Sequence, residues 1–133
     1  MKYCADTWFL LKLFNKDVRA KDIINDLRYG KARLTIPCSV IAETVRKLMQ
    51  QGASQDIIDV FLEYIQPSEK IEVIEIDQLL AVEAAKISLT YGLAMMDAFV
   101  AVTCVLNGCN TLLSGDSDYD GMVKRKYLKT ISW

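Results

Sequence analysis

Histidine is absent from this chain of 133 residues. Its absence excludes Ser-His-Asp and Cys-His nucleophilic mechanisms and the HExxH class of metalloproteases. Any chemistry must therefore use carboxylates, hydroxyls, Lys or Arg side chains, or a metal ion. The four cysteines form no CxxC pair, so we expect no zinc site and interpret each one as a small buried apolar side chain. They are Cys4, Cys38, Cys104 and Cys109.

Long apolar runs are also lacking. No segment approaches the roughly 18 consecutive apolar residues that typically span a membrane. Asp6 interrupts the first apolar segment, so no signal peptide is expected. The content of 52% hydrophobic residues is typical of a globular protein, and we expect a single domain over residues 1–133. The protein should be soluble and cytoplasmic, with no membrane association.

The net charge of −1 does not indicate nucleic-acid binding, but the charges are unevenly distributed along the chain. Residues 1–47 contain ten Lys or Arg and five Asp or Glu, residues 48–123 contain two and twelve, and residues 124–133 contain four and none. Basic ends around an acidic middle could place phosphate contacts beside an acidic pocket. The same pattern is equally typical of solvated helix faces.

Hydrophobic periodicity predicts strands that alternate with helices or pairs of helices. The predicted strands are residues 1–6, 32–37, 70–76, 110–114 and 128–132. The predicted helices are residues 7–14, 17–29, 39–51, about 54–66, 77–89 and 91–106, with caps at Ser54 and Asp77. The segment GDSDYDG at 115–121 is predicted to be an acidic loop. This alternation predicts a three-layer α/β/α fold, with a central parallel sheet of about four to five strands between helices.

Four carboxylates are expected to meet at one edge of this sheet. Asp6 ends the first predicted strand and Asp116 follows the fourth, and sites in open α/β sheets form beyond the carboxyl ends of the strands. Asp97 lies inside an almost wholly apolar helix, where an unpaired carboxylate is costly. Glu43 lies in the first turns of another helix, and helix beginnings point toward the same edge.

Such a cluster would repel itself unless a cation neutralised it. Ligands that are all oxygen favour Mg²⁺ or Mn²⁺, the usual partners of phosphoryl chemistry. Each acid alone also has a simpler interpretation. Asp6 could be a helix cap, Glu43 could pair with Arg46 or Lys47, and Asp116 could be a turn residue. Their joint placement favours the metal site.

In this order, these residues resemble the PIN domain, and most closely the short VapC-type toxins. The resemblance covers nearly the whole chain. It rests on Asp6-Thr7, on Glu43 in a helix after a strand, on MDAFVAV around Asp97 and on SGDSDY around Asp116. It implies a Mg²⁺- or Mn²⁺-dependent endoribonuclease, a homodimer whose cognate VapB-type antitoxin covers the acidic pocket.

The resemblance also implies roles for individual residues. The implied catalytic metal ligands are Asp6, Glu43, Asp97 and Asp116, with Thr7 and Ser114 as supporting hydroxyls. Asp118 and Asp120 add acids beside Asp116, and we place Asp118 second to Asp116 as the ligand that completes the site. Trp8 stands where the family tends to have a smaller or polar residue. Candidates for holding the RNA backbone are Lys12, Lys16, Arg46, Lys47 and the KRK run at 124–126.

Three alternatives are considered, of which the first two remain open and the third is discounted. The first is a PIN-like RNA-processing nuclease without an antitoxin. The second is a non-catalytic interaction domain that binds calcium, since D-x-D-x-D-G at 116–121 matches the opening of an EF-hand loop. That loop needs a bidentate Glu at its twelfth position, where this chain has Tyr127. The third is a receiver-like phosphoacceptor built around Asp77, which lacks the required Lys after the last strand.

Overall fold

In the computed structural model of the protein, apolar strands assemble into one parallel sheet between helices. The structure describes the backbone of residues 1–133 and every side chain except that of Ile131. The strands are β1 (Lys2–Ala5), β2 (Arg33–Pro37), β3 (Ile71–Ile74), β4 (Thr111–Leu113) and β5 (Ile131–Ser132). The helices are α1 (Thr7–Phe14), α2 (Val18–Arg28), α3 (Cys38–Gln50), α4 (Gln55–Tyr64), α5 (Gln78–Tyr91), α6 (Met95–Leu106) and α7 (Asp120–Lys124). The expected three-layer α/β/α fold is confirmed.

The order of the strands determines where a site can form. The order is β3-β2-β1-β4-β5, with every pair parallel. The chain moves outward from β1 to β3 and then returns to β4, so right-handed connections place the helices that follow β1 and β4 on opposite faces. A crevice therefore opens beyond the carboxyl ends of β1 and β4, the usual ligand position in open α/β sheets.

Burial follows the position of each strand in the sheet. The central strands carry fully buried apolar side chains, including those of Leu34, Ile36 and Leu112, which pack with Phe9 of α1 in the main core. Strand β3 has no fully buried residue and lies at the edge of the sheet. Apolar and polar residues alternate in its sequence, which is typical of a strand at a sheet edge or with one face partly exposed to water.

Most helix ends lie where their capping residues predict. The side chain of Asp77 accepts a hydrogen bond from the backbone N–H of Leu80 at 2.8 Å, and Ser54 caps α4 in the same way. The expected helix over 91–106 is wrong at its start. Gly92 adopts a left-handed φ of 66° that ends α5, and α6 begins only at Met95.

The expected loop at 115–121 is also wrong. Residues Ser117–Tyr119 form a 3₁₀ turn that leads directly into α7. The side chain of Asp116 caps the turn, and the aromatic ring of Tyr119 is fully buried in the core. A segment of turn-like composition therefore forms a helical turn, because the side chain of Tyr119 is buried.

Within the described residues, no single helix is long and apolar enough to cross a membrane. Helices α5 and α6 meet that criterion only when taken together across a bend of 115°.

Candidate metal centre

The site begins where β1 and β4 end side by side. Asp6 follows β1 and begins α1, but its carboxylate makes no capping hydrogen bond to that helix. It accepts a hydrogen bond from the hydroxyl of Ser114, which follows β4, at 2.6 Å. The same hydroxyl accepts the backbone N–H of Asp116 at 3.1 Å. A single buried hydroxyl therefore connects the ends of the two central strands.

Asp97 enters from the first turn of α6. This helix runs back toward β4, so its first turn lies at the carboxyl edge of the sheet. The carboxylate of Asp97 accepts a hydrogen bond from the phenol of Tyr119 at 3.2 Å. Oxygen atoms of Asp97, Asp116 and Asp118 lie within 4.8 Å of one another. This separation is suitable for carboxylates that share a cation.

Glu43 approaches the same edge from α3. Helix α3 contacts α6 directly, and the charge of Glu43 acts on both Asp6 and Asp97. Its carboxylate also forms an ion pair with Lys47 at 3.2 Å, one turn further along the helix. The two interpretations of Glu43 offered by the sequence are therefore compatible, since it pairs with a lysine and also faces the acidic cluster.

Burial and mutual repulsion hold Asp6 and Asp97 toward their protonated forms. The pKa of Asp6 is raised to about 6, mainly by burial and to a smaller extent by the charges of Asp97 and Glu43, while hydrogen bonds from Ser114 and the backbone of Thr7 act in the opposite direction. Burial also raises the pKa of Asp97, with the charges of Asp116 and nearby acids adding to the effect. The folded protein thus gathers more negative charge than its own cations balance.

The residues at this edge fit a hard divalent cation. The donors are all oxygen atoms, which Mg²⁺ and Mn²⁺ prefer. The hydroxyls of Thr7 and Ser39 are buried with no hydrogen-bond partner among the described residues. Thr7 follows Asp6 directly, and Ser39 lies one helical turn before Glu43. Unpaired buried hydroxyls beside a carboxylate cluster are expected where ordered water or an ion completes the coordination.

Only some of the acids predicted from the sequence have carboxylate oxygens within 4.8 Å of one another. Asp118 belongs to the tight group with Asp97 and Asp116, although it is exposed. Asp6 and Glu43 lie outside that group and are linked to it by Ser114 and by charge. Asp120 is exposed and begins α7. An EF-hand loop is not formed, because the segment after Asp116 is helical and follows a strand.

The sequence alone does not tell whether Tyr119 stacks on bases or packs in the core. The structure places its ring in the core, and its phenol positions Asp97. No local signal in the sequence identifies this role, because Tyr119 lies in a segment of turn-like composition.

Trp8 borders the site on its open side. Its ring packs against the backbone of Gly115, where an added Cβ atom would lie 2.5 Å from a ring carbon. The side chain remains 40% exposed, and the Nζ atom of Lys12 lies 5.4 Å from the ring centroid. A base-sized aromatic surface and a cation thus lie beside the residues that follow β4.

Comparisons with known proteins agree with this geometry. The family model of the PIN domain matches residues 3–124. A toxin–antitoxin complex from Klebsiella pneumoniae is similar in structure, with a TM-score of 0.70, 18% identity and coverage of 98% of this chain and 96% of that chain. VapBC2 from Rickettsia felis, bound to a promoter DNA fragment, has a TM-score of 0.70, 17% identity and coverage of 100% and 99%. VapC20 from Mycobacterium tuberculosis, a sarcin-ricin-loop-cleaving toxin, has a TM-score of 0.69, 17% identity and coverage of 90% and 93%. No curated protein sequence is significantly similar.

The raised pKa of Asp6 predicts an unusual pH dependence of stability. The folded state binds this proton more tightly than the unfolded state, so ionisation of Asp6 favours unfolding. In EDTA, the free energy of unfolding should fall by up to about 3 kcal/mol as the pH rises from about 4 to about 6, and then level off. The chain has no histidine to titrate in this range. Urea denaturation at pH 4.5 and 7 measures the change.

Asp6→Asn provides the control for this prediction, because the amide oxygen can still accept the hydrogen bond from Ser114 but carries no charge. Its stability relative to wild type should increase as the pH rises. If the free energies of unfolding of the two proteins changed in parallel with pH, Asp6 would not be the source of the pH dependence.

Tyr119→Phe should loosen Asp97 without changing the fold. The phenol lowers the pKa of Asp97, so its removal should raise that pKa, as measured by carboxyl-carbon NMR titration. Loss of an orienting hydrogen bond should weaken Mn²⁺ binding roughly 10- to 100-fold. Tyr29→Phe, at an exposed position, should change neither quantity. If the pKa of Asp97 were the same in Tyr119→Phe as in wild type, Tyr119 would not position Asp97.

Proposed function

Because this chain belongs to the PIN-domain family, we propose that it is a divalent-metal-dependent endoribonuclease and the toxin of a VapBC-type toxin–antitoxin pair. The observation that carries the proposal is the convergence of acids from β1, α3, α6 and the end of β4 at one edge of the sheet. The proposed ligands of Mg²⁺ or Mn²⁺ are Asp6, Glu43, Asp97 and Asp116, with Asp118 beside them.

The proposed reaction is hydrolysis of an RNA phosphodiester bond. A bound divalent cation supplies Lewis acidity for activating water and for stabilising the leaving oxygen. The protein contributes fixed positions for the oxygen donors. Ser114 holds Asp6 and the backbone of Asp116, and Tyr119 holds Asp97. These contacts restrict the carboxylates before the cation binds, which reduces the reorganisation required during the reaction.

Trp8 and Lys12 are the best placed candidates for contact with RNA. The half-exposed indole beside Gly115 can stack on a base, and stacking of this kind is tolerant of sequence. Lys12 can approach a phosphate from the same side. Two of the other basic candidates have partners in the fold. Lys47 pairs with Glu43, and Arg125 lies over the ring of Tyr91 at 4.4 Å.

Exposed apolar side chains support the proposed protein partners. Ile57, Val60 and Tyr64 of α4 are exposed beside a cleft of about 670 Å³ that is lined mainly by α2, α4 and the start of β3, away from the carboxylates. Contiguous exposed apolar surface marks interaction sites. We propose that the antitoxin docks on the α4 surface and that its tail reaches the acidic pocket. The exposed apolar residues of α5 and α6, including Leu79 and Met96, are proposed for the homodimer.

Asp97→Asn is the decisive variant for the nuclease. Cleavage of RNA by the purified protein with Mn²⁺ should fall at least roughly 100-fold, because a ligand that contributes several kcal/mol to catalysis loses its charge. The free energy of unfolding in EDTA should be unchanged or higher, since ionised Asp97 is disfavoured by the fold.

Two controls make that experiment decisive. Asp22→Asn, at an exposed position of α2, should retain full activity. EDTA should abolish cleavage by the wild type, and added Mn²⁺ should restore it. Undiminished cleavage by folded Asp97→Asn, with metal present, would rule out the assignment of this residue.

The antitoxin proposal needs a separate test. Induction of the wild-type chain in cells should arrest growth, and co-expression of a small protein encoded by a neighbouring gene should restore it. Asp97→Asn should not arrest growth but should still bind that protein. A chain that cleaves RNA but neither arrests growth nor binds the neighbouring product would instead be the RNA-processing nuclease without an antitoxin.

A further inference from the structure

Three of the four cysteines lie close together, toward the edge of the sheet opposite the carboxylates. Cys4 lies in β1, Cys104 near the end of α6 and Cys109 just before β4. All three are buried, and their sulfur atoms lie within 4.8 Å of one another. Spacing along the sequence gave no indication of this group, since the cysteines are far apart or on different elements. The fold therefore brings together three thiols, although the spacing of the cysteines predicted no zinc site.

The end of α6 brings two of these sulfurs together. Gly108 has a left-handed φ of 65°, and the backbone N–H of Cys109 donates to the carbonyl of Cys104 at 3.0 Å. The N–H of Gly108 donates to the carbonyl of Val105 at 3.1 Å, which completes a Schellman motif. This motif places the residue after the glycine against the last turn of the helix. Cys109 is therefore fixed against Cys104 by backbone geometry.

The third sulfur and an unpaired hydroxyl come from the neighbouring strands. Cys4 and Thr35 are register partners in β1 and β2, so their side chains lie on the same face of the sheet. Thr35 is 0% exposed, and its hydroxyl has no hydrogen-bond partner among the described residues. This hydroxyl lies close enough to Cys109 to favour its thiolate. Buried polar atoms are seldom unpaired, so the hydroxyl needs a partner.

Charge near the cluster also favours an anionic group there. The ammonium of Lys2 donates to the carbonyl of Asn107 at 2.7 Å, which holds it beside the end of α6. Its positive charge acts on Cys109, and that of Lys129 acts on Cys104. Three thiolates with one divalent cation carry a net charge of −1, which these two lysines can offset.

We propose that Cys4, Cys104 and Cys109 form a second metal site, which binds one Zn²⁺ ion through three thiolates beside the hydroxyl of Thr35. With Zn–S bonds of about 2.3 Å, sulfurs around a common ion lie about 4 Å apart, within the observed limit. Binding releases the thiol protons to solvent, and no oxidation is involved. Thr35 is a positioning residue that donates to the metal-bound Cys109 sulfur.

This ion would join the three elements that carry the acidic site. Cys4 lies two residues before Asp6 in β1, and Cys109 leads into β4. Cys104 follows Asp97 by seven residues, which is two turns of helix or about 10 Å along α6. The inference is independent of the nuclease, because it concerns binding of a soft cation at the opposite edge.

Cobalt substitution tests the site in the full-length protein. The reduced, oxygen-free protein should bind one equivalent of Co²⁺ with thiolate-to-cobalt charge-transfer absorption, and Zn²⁺ should displace it while excess Mg²⁺ should not. Cys4→Ala, Cys104→Ala and Cys109→Ala should each lose the band. Cys38→Ala is the matched control, because Cys38 is half-buried outside the cluster, and it should keep the band.

Several results would overturn the proposal. Folded wild-type protein that shows no sulfur-to-cobalt band would do so even if every cysteine variant failed to fold. Equal loss of the band in Cys38→Ala would do so as well. Formation of a disulfide within the cluster by air, without metal uptake in the reduced protein, would identify the group as a redox pair instead.

Thr35 provides an independent readout. Thr35→Val removes the unpaired hydroxyl and should leave the metal-free protein as stable as wild type or more so, while Zn²⁺ affinity falls roughly 10- to 100-fold. Thr35→Ser keeps the hydroxyl and should retain the affinity. Equal Zn²⁺ affinities for the Val and Ser variants would show that Thr35 only fills space.

Discussion

The hydroxyl of Ser114 is the contact on which the acidic edge depends. It donates to Asp6 and accepts from the backbone of Asp116, so it fixes the ends of β1 and β4 relative to each other. Ser114 is only 2% exposed, and water cannot easily replace it. Without this donor, only the backbone of Thr7 would oppose the effect of burial, and the carboxylate of Asp6 would shift further toward its neutral form. The hydrogen bond therefore keeps a buried acid usable as a ligand.

The remaining acids are stabilised by different means according to their depth. Asp97 lies in the first turn of α6, where the positive end of the helix dipole favours a negative charge. The buried phenol of Tyr119 adds a hydrogen bond to it. Asp116 caps the 3₁₀ turn through the backbone N–H of Asp118. Asp6, Asp97 and Asp116 are thus each held by hydrogen bonds, and none of the three pairs with a lysine or arginine among the described residues. This combination leaves the cluster ordered but electrostatically unbalanced, as expected of a site organised for a cation.

The fold could be predicted from the sequence because its signals are local. Caps at Ser54 and Asp77 and the alternation in β3 each depend on a few neighbouring residues. The edge of the sheet at which the acids meet also followed, because parallel strands all end on the same side. What could not be predicted depends on contacts distant in sequence. The helical turn after Asp116 forms because Tyr119 reaches the core, and no local pattern reveals that a core position is available there.

The cysteine cluster also depends on contacts between residues distant in sequence and could not be predicted. Their spacing argued against a metal site, since it contains no CxxC pair, yet three of them meet through a helix end and two strands. Cys104 and Cys109 come together at the helix end that Gly108 forms, and Cys4 joins them through the pairing of β1 with its neighbours.

Ligand chemistry separates the two edges of the molecule. The carboxyl edge offers only oxygen donors, and the thiol cluster offers sulfur with one hydroxyl. Hard Mg²⁺ or Mn²⁺ and soft Zn²⁺ would therefore be sorted by donor type rather than by total affinity. Because β1 and α6 run from one cluster to the other, order at the thiol edge would restrict the elements that position Asp6 and Asp97. A rigid scaffold behind exposed, mutually repelling acids is what a site of this kind requires, since its ligands cannot be held by attraction to one another.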